Sequence, residues 1–293
     1  MKRRTGWLLV SLLLLGGLGT AAAQEMSDGM KGPPPVLVVF REVLKPGKSG
    51  TIHEKSESAF VQAFAKANWP THYFAADSLS GKPRSLFFIG YDSFEAWEKD
   101  NLATQKNAKL AAELDHAGVV DGELLSESEG LVFAFNEKYS LRAKVDIAHM
   151  RYFEIGVYHV RPGHHHEWEE AVNLVKAAYE KIPDVHWAAF NAVFGGEDES
   201  YAIIIPRKSL AEVDKGFGLS KEFVTNMGEE GMKKLHELEA SAIASTTSQL
   251  FQFNPRMSYP PEAWVKADPD FWKPKPAKAP AAAPKKSEKP AGQ

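Results

Sequence analysis

The sequence predicts an α+β chain of two tandem βαββαβ units packed sheet to sheet as an internal pseudo-dimer. Three observations predict it. The chain repeats itself once, both copies run strand, helix, strand, strand, helix, strand, and the strands are too apolar to leave one sheet face in water.

The chain of 293 residues opens MKRRTGWLLVSLLLLGGLGTAAAQ, a basic stretch followed by an apolar run and small residues ending at Ala23. That run is short for a membrane span and precedes an A-x-A-type site, so residues 1–23 read as a secretory signal peptide and 24–35 as a linker. Export to a periplasm or to the medium follows, with no transmembrane segment after cleavage. The chain contains no cysteine, which excludes disulfides, thiolate nucleophiles and Cys-ligated zinc.

The first unit is expected over 36–145. VLVVFREVLKPGK, from Val36, reads as a strand running into a Pro-Gly turn. HEKSESAFVQAFAKAN, from His53, reads as an amphipathic helix, THYFAA and SLFFIGYD as two strands, and the segment ending LVFAFNEKYS as a helical stretch and a last strand. The second unit, 146–265, repeats the order with RYFEIGVYHVRPGH, HEWEEAVNLVKAAYEKI, VHWAAF, SYAIIIPR and QLFQFNPRMS, at an offset of 113 to 118 residues. In its first helix Trp168, Ala171, Val172, Val175 and Tyr179 share one face, which suits a helix laid on a sheet. Residues 266–293 form a tail rich in Pro, Ala and Lys, expected to be disordered. Its charge is basic and that of the body acidic. This argues against nucleic-acid binding by the folded part and lets the tail contact anionic envelope surfaces.

The strand–Pro-Gly–helix opening, present twice, resembles the dimeric α/β-barrel superfamily of ferredoxin-like units, and within it the NIPSNAP-type and antibiotic-biosynthesis-monooxygenase-type branches. The resemblance covers roughly residues 36 to 259 and implies an intramolecular barrel of two halves. It departs from the NIPSNAP pattern in the first strand, where Gly156 stands two residues before Tyr158 and Arg41 sits out of register beside Glu42.

Three sets of residues invite a functional reading. His164, His165 and His166 look like a metal site. Aligned on the shared His-Glu pair, however, Thr51 falls opposite His164 and Glu54 opposite Glu167. TIHE then reads as a capping box and the histidines as a solvated helix start, so no dedicated metal site is expected. His72 and His186 begin the second strand of each unit beside Tyr73 and Trp187. They suit acid–base or axial haem roles, or buried structural ones. Glu42 and Tyr158, on otherwise apolar strand faces, are ligand-pocket candidates. His116 and His236 read as solvated helix residues.

No Ser-His-Asp spacing, phosphate loop or H-E-x-x-H helix is present. The expected function is that of an exported protein binding a small hydrophobic molecule or a partner. A cofactor-poor monooxygenase-like enzyme acting on a lipophilic substrate and a haem-binding protein are the alternatives.

Overall fold

The computed structural model describes residues 32–273. The expected signal peptide, most of the linker and the tail from residue 274 lie outside the described residues. Eight strands form one closed antiparallel barrel: β1 (Val36–Leu44), β2 (Tyr73–Ser78), β3 (Arg84–Tyr91), β4 (Leu125–Leu141), β5 (Tyr152–Val160), β6 (Trp187–Phe194), β7 (Ser200–Arg207) and β8 (Ile243–Tyr259). Their order around the barrel is β1-β3-β2-β8-β5-β7-β6-β4. Each unit contributes four adjacent strands, and the seams β2–β8 and β4–β6 join the units edge to edge. Closure leaves no free sheet edge, which is the physical reason two copies are stable where one would not be.

Period-two alternation sorts the strand residues into two layers. Leu37, Val39, Phe74, Leu86, Phe88, Phe153, Phe251 and Phe253 point inward and fill the barrel. Val36, Val38, Phe87 and Tyr91 point outward and meet the helices. This double burial accounts for the continuous apolar runs SLFFI and YAIII. At about 1.5–3 kcal/mol for each fully buried large apolar side chain, the inner layer dominates the stability of the chain.

In the first unit α1 (Thr51–Ala67), α2 (Phe94–Lys106) and α3 (Ala108–Gly122) cover the sheet. In the second, α4 (His165–Tyr179), α5 (Leu210–Gly218) and α6 (Ser220–Ala242) do so. The second helical stretch of each unit, expected as one helix, is two. Asn107 divides α2 from α3, its side chain accepting from the Leu110 amide at 3.1 Å. The Pro-Gly turns end β1 and β5 with Gly47 and Gly163 at φ of 77° and 83°, a region glycine enters without strain.

Three expectations are corrected. The folded chain continues past residue 265 through α7 (Glu262–Ala267) and α8 (Pro269–Trp272), because Trp264 and Trp272 pack against Phe74 and Phe253 at one end of the barrel. Only then does the Lys/Pro/Ala composition take over. The capping box does not form: α1 begins after Gly50 with no side-chain cap, and Glu54 instead accepts from the Asn254 side chain at 3.1 Å. The helix register also differs from the one read from the His-Glu pairs. The buried positions of α1 are His53, Glu57 and Ala63, and those of α4 include Trp168, Val172 and Ala178, so His53 lies opposite Trp168 and not His166.

Candidate functional site

The outer face of the first unit carries polar residues where the second carries apolar ones. At the end of β1, Glu42 points outward toward α1. On α1 His53 and Glu57, one turn apart, point back at the sheet. Ser85 of β3 pairs in register with both Glu42 and Asp77. Asp121 enters from the last turn of α3. His53, Glu57 and Asp121 are 1%, 3% and 2% exposed.

His53 Nε2 lies 3.1 Å from Glu42 Oε2, 3.6 Å from Asp121 Oδ1 and 3.9 Å from Glu57 Oε1. On the other side of the ring, Nδ1 lies 3.3 Å from Ser85 Oγ. The Ser85 hydroxyl donates to Asp77 Oδ1 at 2.5 Å, and Asp77 Oδ2 accepts from Asn254 at 2.7 Å. Having given its one proton to Asp77, Ser85 can only accept from the imidazole. The network therefore assigns the proton to Nδ1, so in the neutral ring Nε2 accepts from a protonated Glu42 in their 3.1 Å hydrogen bond, with its lone pair toward the carboxyl groups. Glu57 Oε1 and Asp121 Oδ1 have no hydrogen-bond partner. Burial, together with the charges of Glu42 and Asp121, pushes the Glu57 carboxyl up to about 10, and burial also raises Glu42. Oxygens buried without partners cost about 1–3 kcal/mol each, more when charged. The arrangement is thus expensive for a purely structural one.

A cavity of about 380 Å³ opens beside this cluster, with Glu42 and Glu57 among its lining residues. Its walls are aromatic, among them Phe60, Phe64, Trp69, Tyr73 and Phe87. Asp100 of α2 holds one wall in place. Its carboxylate accepts from Trp69 Nε1 at 2.9 Å, Thr71 Oγ1 at 2.7 Å and Tyr91 OH at 2.9 Å. The Tyr73 hydroxyl, buried and without a partner, belongs to a residue of the same wall.

The second unit has a cavity of about 360 Å³ in the corresponding place. Strand register fixes the correspondence: the Glu42–Ser85–Asp77 row of the first unit becomes Tyr158–Tyr201–Asn191. Trp168 and Val172 stand where His53 and Glu57 do. Tyr158, Trp168 and Tyr201 pack on one another as aromatic core, with ring centroids 5.0–5.2 Å apart along the chain of contacts. At the places of Glu42, His53 and Glu57 the second unit therefore has aromatic and aliphatic side chains, with Glu239 bordering its cavity.

The histidines singled out in the sequence are dispersed. His164 meets Ser241 at 3.1 Å, His165 meets the Tyr201 hydroxyl at 2.9 Å, and His166 is exposed, so the three side chains diverge. His186 has Nδ1 2.9 Å from the Asp184 carbonyl and Nε2 3.0 Å from that of Pro206, which leaves neither nitrogen for an iron. His72 lines the first cavity with its ring 4.7 Å from that of Tyr259, and burial pushes its pKa below the usual value. This pair does not supply an axial haem ligand from both halves. Glu42 and Tyr73 border the first cavity; Tyr158 and Trp187 border the second. Of the cluster, only Glu42 stands out in the sequence as a candidate. The signal for His53 and Glu57 is present in α1: extending its apolar face back from Phe64 and Phe60 lands on these two polar residues where a sheet-facing stripe should continue.

No protein-family model and no curated protein matches the chain. Among solved structures, it is similar to a putative monooxygenase from Fusobacterium nucleatum subsp. nucleatum, at 13% identity over 75% of this chain and 93% of that one, with a TM-score of 0.47. An anthrone oxidase-like protein matches at 12% identity over 78% of this chain and 93% of that one, with a TM-score of 0.48. A mutant chlorite dismutase from Candidatus Nitrospira defluvii matches at 9% identity over 80% and 95%, with a TM-score of 0.44.

Proposed function

We propose that the protein is exported and binds a small, largely apolar molecule in the cavity of the first unit. The observation that carries this reading is the aromatic cavity of about 380 Å³ bordered by a few polar groups, Glu42, Glu57 and Asp100 among them. Cavities of this size and lining suit small ligands that bury most of their surface and are oriented by a few polar groups. Export is supported by the basic and apolar N-terminal segment. Among the described residues no helix is long and apolar enough to cross a membrane.

The neutral fluorophore N-phenyl-1-naphthylamine serves as the test probe. The full chain should bind it saturably, with quenching of tryptophan emission. Phe60→Trp, which fills the first cavity, should weaken binding about 10-fold or more, the scale expected when a ligand loses about 1.4 kcal/mol of contact. Val175→Trp, at the matching place in the second cavity, should leave that tight site intact. If Phe60→Trp changes nothing while Val175→Trp abolishes binding, the ligand site is in the other unit and the proposal fails.

A further inference from the structure

We propose that Glu42, His53, Glu57 and Asp121 form a centre for a first-row divalent cation, with its open side toward the first-unit cavity. One ligand atom from each of the four residues lies within 4.8 Å of the others. Ligands about 2.0–2.2 Å from a common ion lie at most about 4.4 Å apart, so binding would draw the four side chains together from the spacing they have here.

Several features point to an ion and not merely to a polar cluster. Glu57 Oε1 and Asp121 Oδ1, on residues more than nine-tenths buried, have no partner, and both face His53 Nε2. A cation between them would satisfy both and the imidazole lone pair together. The Ser85–Asp77–Asn254 relay behind the ring holds the tautomer whose Nε2 lone pair, here paired with Glu42, faces the cluster, the outer-shell support that metal-binding histidines ordinarily have. The ligands also come from three different elements of a rigid scaffold, β1, α1 and α3, so their convergence is fixed by the fold. The second unit, where Tyr158, Trp168 and Val172 occupy the positions of Glu42, His53 and Glu57, shows that packing does not require polar residues here.

The donor set of one imidazole nitrogen and three carboxylate oxygens selects the class of ion. It suits Mn²⁺, Fe²⁺ or Zn²⁺ and is poor for a thiophilic ion such as Cu⁺. Glu42 and Glu57 also border the cavity, so a vacant coordination position on the ion would face the bound molecule. This last step rests on the cavity being the ligand site: the molecule would then carry an oxygen donor at its polar end, set against the metal.

The test uses the metal alone, so that it stands or falls separately from the naphthylamine result. Full-length protein is stripped with a chelator and titrated with MnCl₂, free Mn²⁺ being read by electron paramagnetic resonance, and the titration is repeated with Zn²⁺. One ion per chain is expected. The near-isosteric His53→Gln and Asp121→Asn should each weaken binding about 100-fold or more, and Ser85→Ala, which acts only through the ring of His53, about 10-fold. The His164/His165/His166 triple alanine variant should bind as wild type. Circular dichroism confirms that each variant is folded. A further readout is the unfolding temperature, which Mn²⁺ should raise in wild type and not in folded Asp121→Asn. The proposal is overturned if wild type takes up neither ion at millimolar concentration, or if folded His53→Gln and Asp121→Asn bind normally while the triple-histidine variant does not.

Discussion

Replacing Trp272 with alanine is expected to lower the unfolding free energy by about 3–5 kcal/mol, the range for deleting a large aromatic side chain from a core. Trp272 is 3% exposed and donates from Nε1 to the Ala148 carbonyl at 2.9 Å. Its ring lies 5.2 Å from that of Trp264 and 6.3 Å from that of Phe253, whose side chain belongs to the barrel interior. The substitution therefore opens a void at the end of the barrel and leaves the Ala148 carbonyl with Arg151 Nη1, at 3.2 Å, as its donor. Urea denaturation followed by circular dichroism measures the change as a shift in midpoint at constant slope. A loss below about 1 kcal/mol would place α8 among loosely attached termini, not in the folded core.

The second large effect concerns Glu57 and has opposite signs with and without metal. In chelator, Glu57→Val should raise stability by about 1–3 kcal/mol, the cost of a buried polar group left without a partner. The substitution installs at the sheet face of α1 the residue type that α4 has at Val172, and it removes an oxygen buried without a partner. In Mn²⁺ at about 100 times the dissociation constant, wild type gains about 2.7 kcal/mol that the variant does not, so the order reverses or closes. Denaturation midpoints of both proteins in chelator and in Mn²⁺ give all four numbers. Destabilisation by Glu57→Val in chelator would mean that the carboxyl has a structural role that its geometry does not reveal.

The barrel was legible because it rests on signals that are local and repeated. Pro-Gly after a strand, an amphipathic helix after Pro-Gly, and apolar runs such as SLFFI and YAIII each have a short-range physical cause, and each occurs twice. The site was legible only in Glu42. His53 and Glu57 lie one turn apart on α1, but Asp121 is far along the chain and reaches the cluster only because α3 packs on α1. The His-Glu pair also misled: aligning His53 with His166 made the histidine look like a feature of a helix start. Packing instead sets His53 opposite Trp168, and only in that register does the substitution of ligand-type residues for core residues become visible. The triple histidine drew attention because its residues are adjacent in sequence, but adjacent residues at a helix start point in different directions.

The two units thus divide the labour of one scaffold. The second keeps an apolar helix–sheet junction, with Tyr158, Trp168 and Tyr201 stacked in it. The first has Glu42, His53, Glu57 and Asp121 there instead, beside an aromatic cavity.

The most direct measurement is anomalous diffraction from a crystal of the full chain soaked in Mn²⁺, with data collected where manganese scatters anomalously. The expected result is a peak among Glu42, His53, Glu57 and Asp121, within bonding distance of His53 Nε2 and of the three carboxylates, and none between Tyr158 and Trp168. An empty cluster, or a peak only at His164, His165 and His166, would contradict it.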